Sequence, residues 1–157
     1  MAVARDAPRE RDEARVIRII RSIQTAQSMY QPVHGYYDAL ECLVLDVCTA
    51  NPYPPSYLRA EVLAEAVRGD YTVEFRGGLP IRDNGPDLIS GTAVQRFALV
   101  AIAKDRGSER LAFCGDDRGH VYLTEGGHVP GVESGHCADT SVPITHQFAD
   151  EAPRTAR

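Results

Sequence analysis

Four cysteines, Cys42, Cys48, Cys114 and Cys137, carry the most distinctive chemistry in this chain. None belongs to a C-x-x-C pair, which argues against a zinc ribbon and against a thioredoxin-like redox motif. An even number at loop-like positions suits two disulfides, which persist in oxidising compartments. More than one pairing is open to four cysteines. In an unbroken helix Cys42 and Cys48 would stand about 9 Å apart along the axis. A disulfide needs Cα atoms within roughly 7 Å. A Cys42–Cys48 bridge therefore requires the helix to end near Asp46, and the run from Thr49 to Pro55 permits that. Cys114 would end a strand and Cys137 lies in the tail, so the second bridge would pin the tail to a sheet. The alternative is four buried or free thiols, the state of a chain kept in a reducing cytosol.

Histidines and carboxylates near these cysteines raise the question of a metal. His120, His128 and His136 recur at a regular interval between Cys114 and Cys137. Imidazole and thiolate suit zinc, but the interval is too long for one helix face and matches no ordinary ligand spacing. Surface histidines on a hairpin and a tail are the simpler reading. Asp116, Asp117 and Glu125 offer oxygens to calcium, yet that ion takes about six or more, and Asp-Asp-Arg-Gly is also good turn chemistry. For catalysis, His136 and Cys137 are sequence neighbours, which keeps their side chains from forming a nucleophile–base contact. The sequence holds no G-x-S-x-G elbow, phosphate loop or dinucleotide fingerprint. The expectation is no catalytic residue and no cofactor.

Composition narrows the classes further. The chain has 157 residues, 25% charged and 43% hydrophobic, with a net charge of −5. That fits one ordinary globular domain. The acidic balance, with a pI of about 5.5, and the lack of a basic stripe interleaved with aromatics argue against a nucleic-acid partner. No stretch approaches the ~20 apolar residues of a membrane span. The start, MAVARDAPRERDEAR, is charged and has no apolar run for a signal peptide.

The elements that must position these groups follow from periodicity. Val16, Ile19, Ile20, Ile23, Ala26, Gln27 and Tyr30 recur at helical spacing, with Gln27 alone breaking an apolar stripe. Arg15, Arg18 and Arg21 lie on another flank. This predicts a helix from about Pro8 to Gln31, stopped by Pro32 and Gly35. Asp38 would cap a short helix through Leu45, and Ser56 a helix from Tyr57 to Val67. From Tyr71 the period becomes two: Tyr71, Val73 and Phe75 should point inward from a strand. Val94 to Ala103 is apolar on both faces and reads as a central strand. Arg110–Cys114 and His120–Thr124 would follow, joined by a loop over Gly115–Gly119. Helices first and strands after predict an α+β fold: a long N-terminal amphipathic helix on a roughly four-stranded antiparallel sheet. Its expected core is Ile20, Ile23, Tyr30, Tyr71, Val73, Phe97, Leu99, Leu111 and Phe113. Residues 1–8 should be frayed, 9–145 a single domain and 146–157 a disordered tail.

These elements, in this order, resemble the globular head of type IV pilins and type II secretion pseudopilins. The family's helix ends in an "(I/L)RxIxxAQxxY" phrase. Here it stands as Ile20-Arg21-Ser22-Ile23-Gln24-Thr25-Ala26-Gln27-Ser28-Met29-Tyr30, followed by His34-Gly35-Tyr36-Tyr37 and Leu40. Gly69-Asp70-Tyr71-Thr72-Val73 is similar to its "GYxF" first strand. Arg110 to Tyr122 is similar to its closing hairpin, "R-x-F-x-x-D-x-x-G-x-I". The chain departs from the family at the front, where members carry about 20–25 apolar residues that anchor in the membrane; here Met1-Ala2-Val3-Ala4-Arg5 precedes the helix. The resemblance implies a non-enzymatic structural subunit in filament assembly or secretion, outside the cytosol in the periplasm or beyond. Its partners would be further copies or other pilin-like subunits, met through the N-terminal helix. Some pseudopilins hold calcium near C-terminal loops, which is the family's counterpart of the Asp116, Asp117 and Glu125 set. The competing expectation is a soluble module on the same scaffold that holds a protein partner or a divalent ion.

Overall fold

The computed structural model describes residues 7–44, 48, 56–82, 90–105, 110–124, 128–138 and 142–143. All seven stripe residues from Val16 to Tyr30 are buried on a 28-residue helix, α1 (Ala7–His34). A helix this long spans about 42 Å. Its first five residues, Ala7 to Arg11, are exposed, and the stripe begins at Val16. Ala7 and Pro8, expected to fray, are helical. Isolated helices are marginal in water, so the buried stripe rather than intrinsic propensity holds α1 in place. Pro32 lies inside the last turn instead of ending the helix. The actual stop is Gly35, in the left-handed region at φ 83, whose N–H donates to the Gln31 carbonyl at 2.7 Å. Glycine adopts that conformation without the penalty a Cβ brings.

Two short helices follow, α2 (Leu40–Val44) and α3 (Ala60–Arg68). Ser56 does not cap α3. Its hydroxyl donates to the Leu58 carbonyl at 3.0 Å, and the helix starts beyond it behind Arg59, without a side-chain cap. The packing of Leu58, which is 3% exposed, takes up the turn that the cap was expected to begin.

The sheet is an antiparallel meander of β1 (Tyr71–Gly77), β2 (Phe97–Ala103), β3 (Ala112–Asp116) and β4 (Val121–Thr124). Two further short pieces, β5 (Val132–Glu133) and β6 (His136–Cys137), form a separate hairpin, and β7 (Val142–Pro143) adds to β4. The register runs from Tyr71 opposite Ala103 to Gly77 opposite Phe97, and from Ala98 opposite Asp116 to Ala101 opposite Phe113. Side chains alternate across a strand. One face therefore gathers Tyr71, Val73, Phe97, Leu99, Phe113 and Val121 against the stripe of α1. The other gathers Ala98, Val100 and Cys114 under Cys137, with Tyr122 and Val132 beside them. β2 is buried on both faces, as its unbroken apolar run requires. Of the nine expected core residues, eight are buried. Leu111 is half-buried and packs against the core from outside β3.

Three boundaries differ from the sequence reading. Val94 is not part of β2; it is drawn aside into bridges with Tyr37 and Pro80, and exchanges backbone hydrogen bonds of 3.0 and 2.9 Å with Tyr37. β3 begins at Ala112 rather than Arg110 and extends through Gly115 and Asp116, which were expected in the loop. β4 begins at Val121, leaving His120 in the connection. Gly115 sits where α1 crosses the sheet. A Cβ there would overlap Ile20 Cγ2 and lie 3.0 Å from Gln24 Nε2. The glycine permits close approach of helix and strand, which its turn-like neighbours conceal.

Candidate functional site

The β3–β4 turn and the β5–β6 hairpin meet beneath the second disulfide. Cys114 and Cys137 are bonded, with Cα atoms 5.9 Å apart. Asp116, at the end of β3, is fully buried. Its Oδ2 accepts from Arg118 Nη2 at 2.5 Å, from Arg118 Nε at 3.1 Å and from the Cys137 N–H at 3.0 Å. Its Oδ1 accepts from the Arg118 N–H at 3.1 Å. Arg118 also donates to the Cys137 carbonyl at 3.1 Å. A buried carboxylate needs such partners to offset its desolvation. With both oxygens taken up by protein donors, Asp116 ties the tail to the sheet and is not presented to a calcium ion. Asp117 Oδ1 lies 2.6 Å from His136 Nε2, an ion-pair separation whose alignment falls short of a hydrogen bond. Glu125 lies outside the described residues. His120 and His128 are exposed, and among the described residues the three histidines do not converge on one point.

The first disulfide joins Cys42 and Cys48, with Cα atoms 5.5 Å apart. Both pairings are those expected from local geometry. Beside Cys42 lies a polar cluster that the sequence did not disclose. Asp38 is fully buried. Its Oδ2 accepts from the Tyr30 hydroxyl at 3.1 Å, and its Oδ1 from the Thr92 hydroxyl at 2.5 Å and the Ala39 N–H at 2.8 Å. Gln27 Nε2 donates to the Asp38 carbonyl at 2.6 Å, and Gln27 Oε1 accepts from the Asp38 N–H at 3.3 Å. Asp38, Cys42 and Cys48 bring one carboxylate and two sulfurs within 4.8 Å. The sulfurs are bonded to each other, so neither is a thiolate able to bind metal. The cluster joins α1, α2 and the strand approach at Thr92, and it serves the fold. Gln27 was its one visible signal, since a polar side chain within an apolar stripe must find partners.

A third region lies where α1 passes the start of β1. Arg110 Nη1 is 3.7 Å from Asp12 Oδ2, and Arg15 Nε is 3.8 Å from Glu65 Oε2. Desolvation, together with a hydrogen bond that the protonated Asp12 donates to Asp70 and the negative charge of Asp70, holds the Asp12 carboxyl above its ordinary range, while Arg110 and Arg15 oppose the shift. The Tyr71 hydroxyl donates to the Leu111 carbonyl at 2.8 Å, and burial holds its proton to well above the usual phenol range. Burial and then the nearby charge of Asp117 likewise raise Tyr37.

The outer face of α1 is a different kind of surface. Arg18, Ser22, Thr25, Met29 and Val33 follow one another along its exposed side. Met29 is 57% and Val33 is 70% exposed. The exposed side thus carries Arg18 toward the N-terminus and small or apolar residues toward the C-terminus. Among the described residues, no helix is long and apolar enough to cross a membrane.

No protein-family model, curated protein or solved structure matches this chain.

Proposed function

We propose that the chain is a non-enzymatic structural subunit, a pilin-like or pseudopilin-like head acting in filament assembly or secretion in an oxidising compartment. The observation that carries this reading is the asymmetry of α1. Its first five residues, Ala7 to Arg11, are exposed, its inner stripe carries the sheet, and its outer face is left uncovered with Met29 and Val33 exposed. A helix built in this way offers one long side to other subunits. Two disulfides agree with a periplasmic or extracellular setting. The clamp of Asp116 and Arg118 would keep the tail in place against an assembled surface.

The reading is tested by placing a photo-crosslinking amino acid at Ser22, Thr25 or Met29 in the producing cell. Crosslinks to further copies or to other helix-bearing subunits, recovered from the envelope or sheared surface fraction, are expected. The same probe at Leu79, exposed just beyond the end of β1, should give fewer. A cytosolic, reduced protein without crosslinks from α1 would overturn the proposal.

A further inference from the structure

β1 forms one edge of the sheet, and its phase is fixed by the bonds that flank it. The Lys104 N–H donates to the Asp70 carbonyl at 2.9 Å, and the Gly78 N–H to the Arg96 carbonyl at 2.8 Å. Even-numbered residues of β1 therefore bond to β2. In an antiparallel ladder the alternate residues turn their N–H and C=O groups the other way. Those of Tyr71, Val73, Phe75 and Gly77 point outward, and no backbone partner meets them among the described residues. Glu74 and Arg76 flank Phe75. Their side chains pair at 2.8 Å while remaining 45% and 50% exposed.

Charges on an edge usually ward off a neighbouring strand. Here the two signs are placed so that the edge complements itself. A two-fold axis through Phe75 sets two copies of β1 antiparallel, with Phe75 facing its own copy. Glu74 then stands opposite the partner's Arg76, and Arg76 opposite the partner's Glu74. The outward phase makes Phe75 a hydrogen-bonded pair, and Glu74–Arg76 the closer non-bonded pairs, in which side chains interact best. An axis through Glu74 would bring like charges together and use the residues already bonded to β2. Phe75 is half-buried against Phe97, with ring centroids 6.0 Å apart, so it has apolar surface left to cover.

We propose that β1 is a homodimerisation edge, joining the sheets of two copies through antiparallel pairing centred on Phe75, with reciprocal Glu74–Arg76 pairs setting the register. This edge is separate from the outer face of α1 and does not depend on the assembly proposed above.

Sedimentation of the oxidised chain at high micromolar concentration should give a dimer that weakens as salt is raised. Glu74→Arg alone and Arg76→Glu alone should each sediment as a monomer with an unchanged melting profile, because like charges then face each other. Mixing the two variants should restore the dimer, since one edge carries two positive charges and the other two negative. The intrachain pair cannot produce that result. Met29→Glu on α1 should leave the dimer unaltered. Hydrogen exchange on the wild-type chain should show protection of the Val73, Phe75 and Gly77 amides that grows with concentration, a measurement independent of whether either variant folds. A monomeric wild-type chain without such protection would overturn the proposal, as would single variants that dimerise like the wild type or a mixture that stays monomeric.

Discussion

The side-chain amide of Gln27 and the backbone of Asp38 bond to each other in both directions, at 2.6 Å and 3.3 Å, in the interior between α1 and α2. Gln27 thus acts as a strand-like partner for a residue that begins no strand. Leucine at this position would improve the apolar stripe and still lose stability, because the N–H and C=O of Asp38 would be buried without partners. Gln27→Leu is expected to cost about 2 to 4 kcal/mol in denaturant unfolding, roughly the desolvation of two backbone groups. A variant as stable as the parent would show that water replaces the amide.

Gly115→Ala tests the crossing of α1 over β3. The added methyl would meet Ile20 Cγ2 and Gln24 Nε2, and overpacking of this kind costs about 1–3 kcal/mol. Removing the obstacle with Ile20→Ala should make the pair non-additive, with the glycine substitution costing less in that background. Strict additivity in the double-mutant cycle would mean the strand moves aside instead.

Ile23 is fully buried in the same interface. Ile23→Asp would place a charge within the apolar core cluster, where its desolvation is costly. Loss of the cooperative melting transition is expected at neutral pH. An unchanged melting temperature would contradict the packing described here.

Much of this packing was legible in the sequence, and the exceptions have physical causes. The three- and four-residue spacing from Val16 to Tyr30 and the alternation of Tyr71, Val73 and Phe75 are local patterns. They fixed the order of elements, the inward faces and eight of the nine core residues. The Cys42–Cys48 pairing was one of several the sequence left open, favoured because the run from Thr49 to Pro55 permits the helix to end near Asp46. Asp38 was legible only as a cap, because its partners Gln27 and Tyr30 on α1 and Thr92 before β2 lie outside the segment it opens. Gly115 and Asp116 read as loop because Gly-Asp-Asp-Arg-Gly has turn composition, yet one is a glycine of close approach and the other a buried anchor for Cys137. β5, β6 and β7 are two residues each, too short for any periodicity to register. The proposed β1 pairing depends on hydrogen-bond phase, which residue types alone do not specify.

The two disulfides should differ in their contribution. Cys114–Cys137 closes a separation of 23 residues and Cys42–Cys48 one of 6. Chain-entropy arguments assign about 3 kcal/mol to the longer loop and about 2 kcal/mol to the shorter. The longer bridge also positions the Cys137 N–H on Asp116, so the Cys114→Ala/Cys137→Ala variant should lose more stability than Cys42→Ala/Cys48→Ala. Equal losses, measured by urea unfolding under oxidising conditions, would leave the Asp116 clamp without an energetic role.

Acid titration should expose the Asp12–Asp70 contact. The folded chain holds the Asp12 proton to higher pH than the unfolded chain, whose carboxyl ionises near its ordinary value of 3.8. Between the two pKa values the native state binds more protons, so this group makes stability fall as pH rises through that window. Its favourable contribution is fully present below the unfolded value and is lost above the folded one. Asp12 is a quarter exposed, so screening keeps the effect small, and the slope rather than the absolute stability is the quantity to follow. Asp12→Asn should flatten the decline in melting temperature just above the ordinary carboxylate range. Asp70→Asn should do the same by removing the neighbouring charge and bringing Asp12 back toward its usual pKa. Parallel melting curves for parent and both variants across that window would show that Arg110 and Arg15 already neutralise the pair.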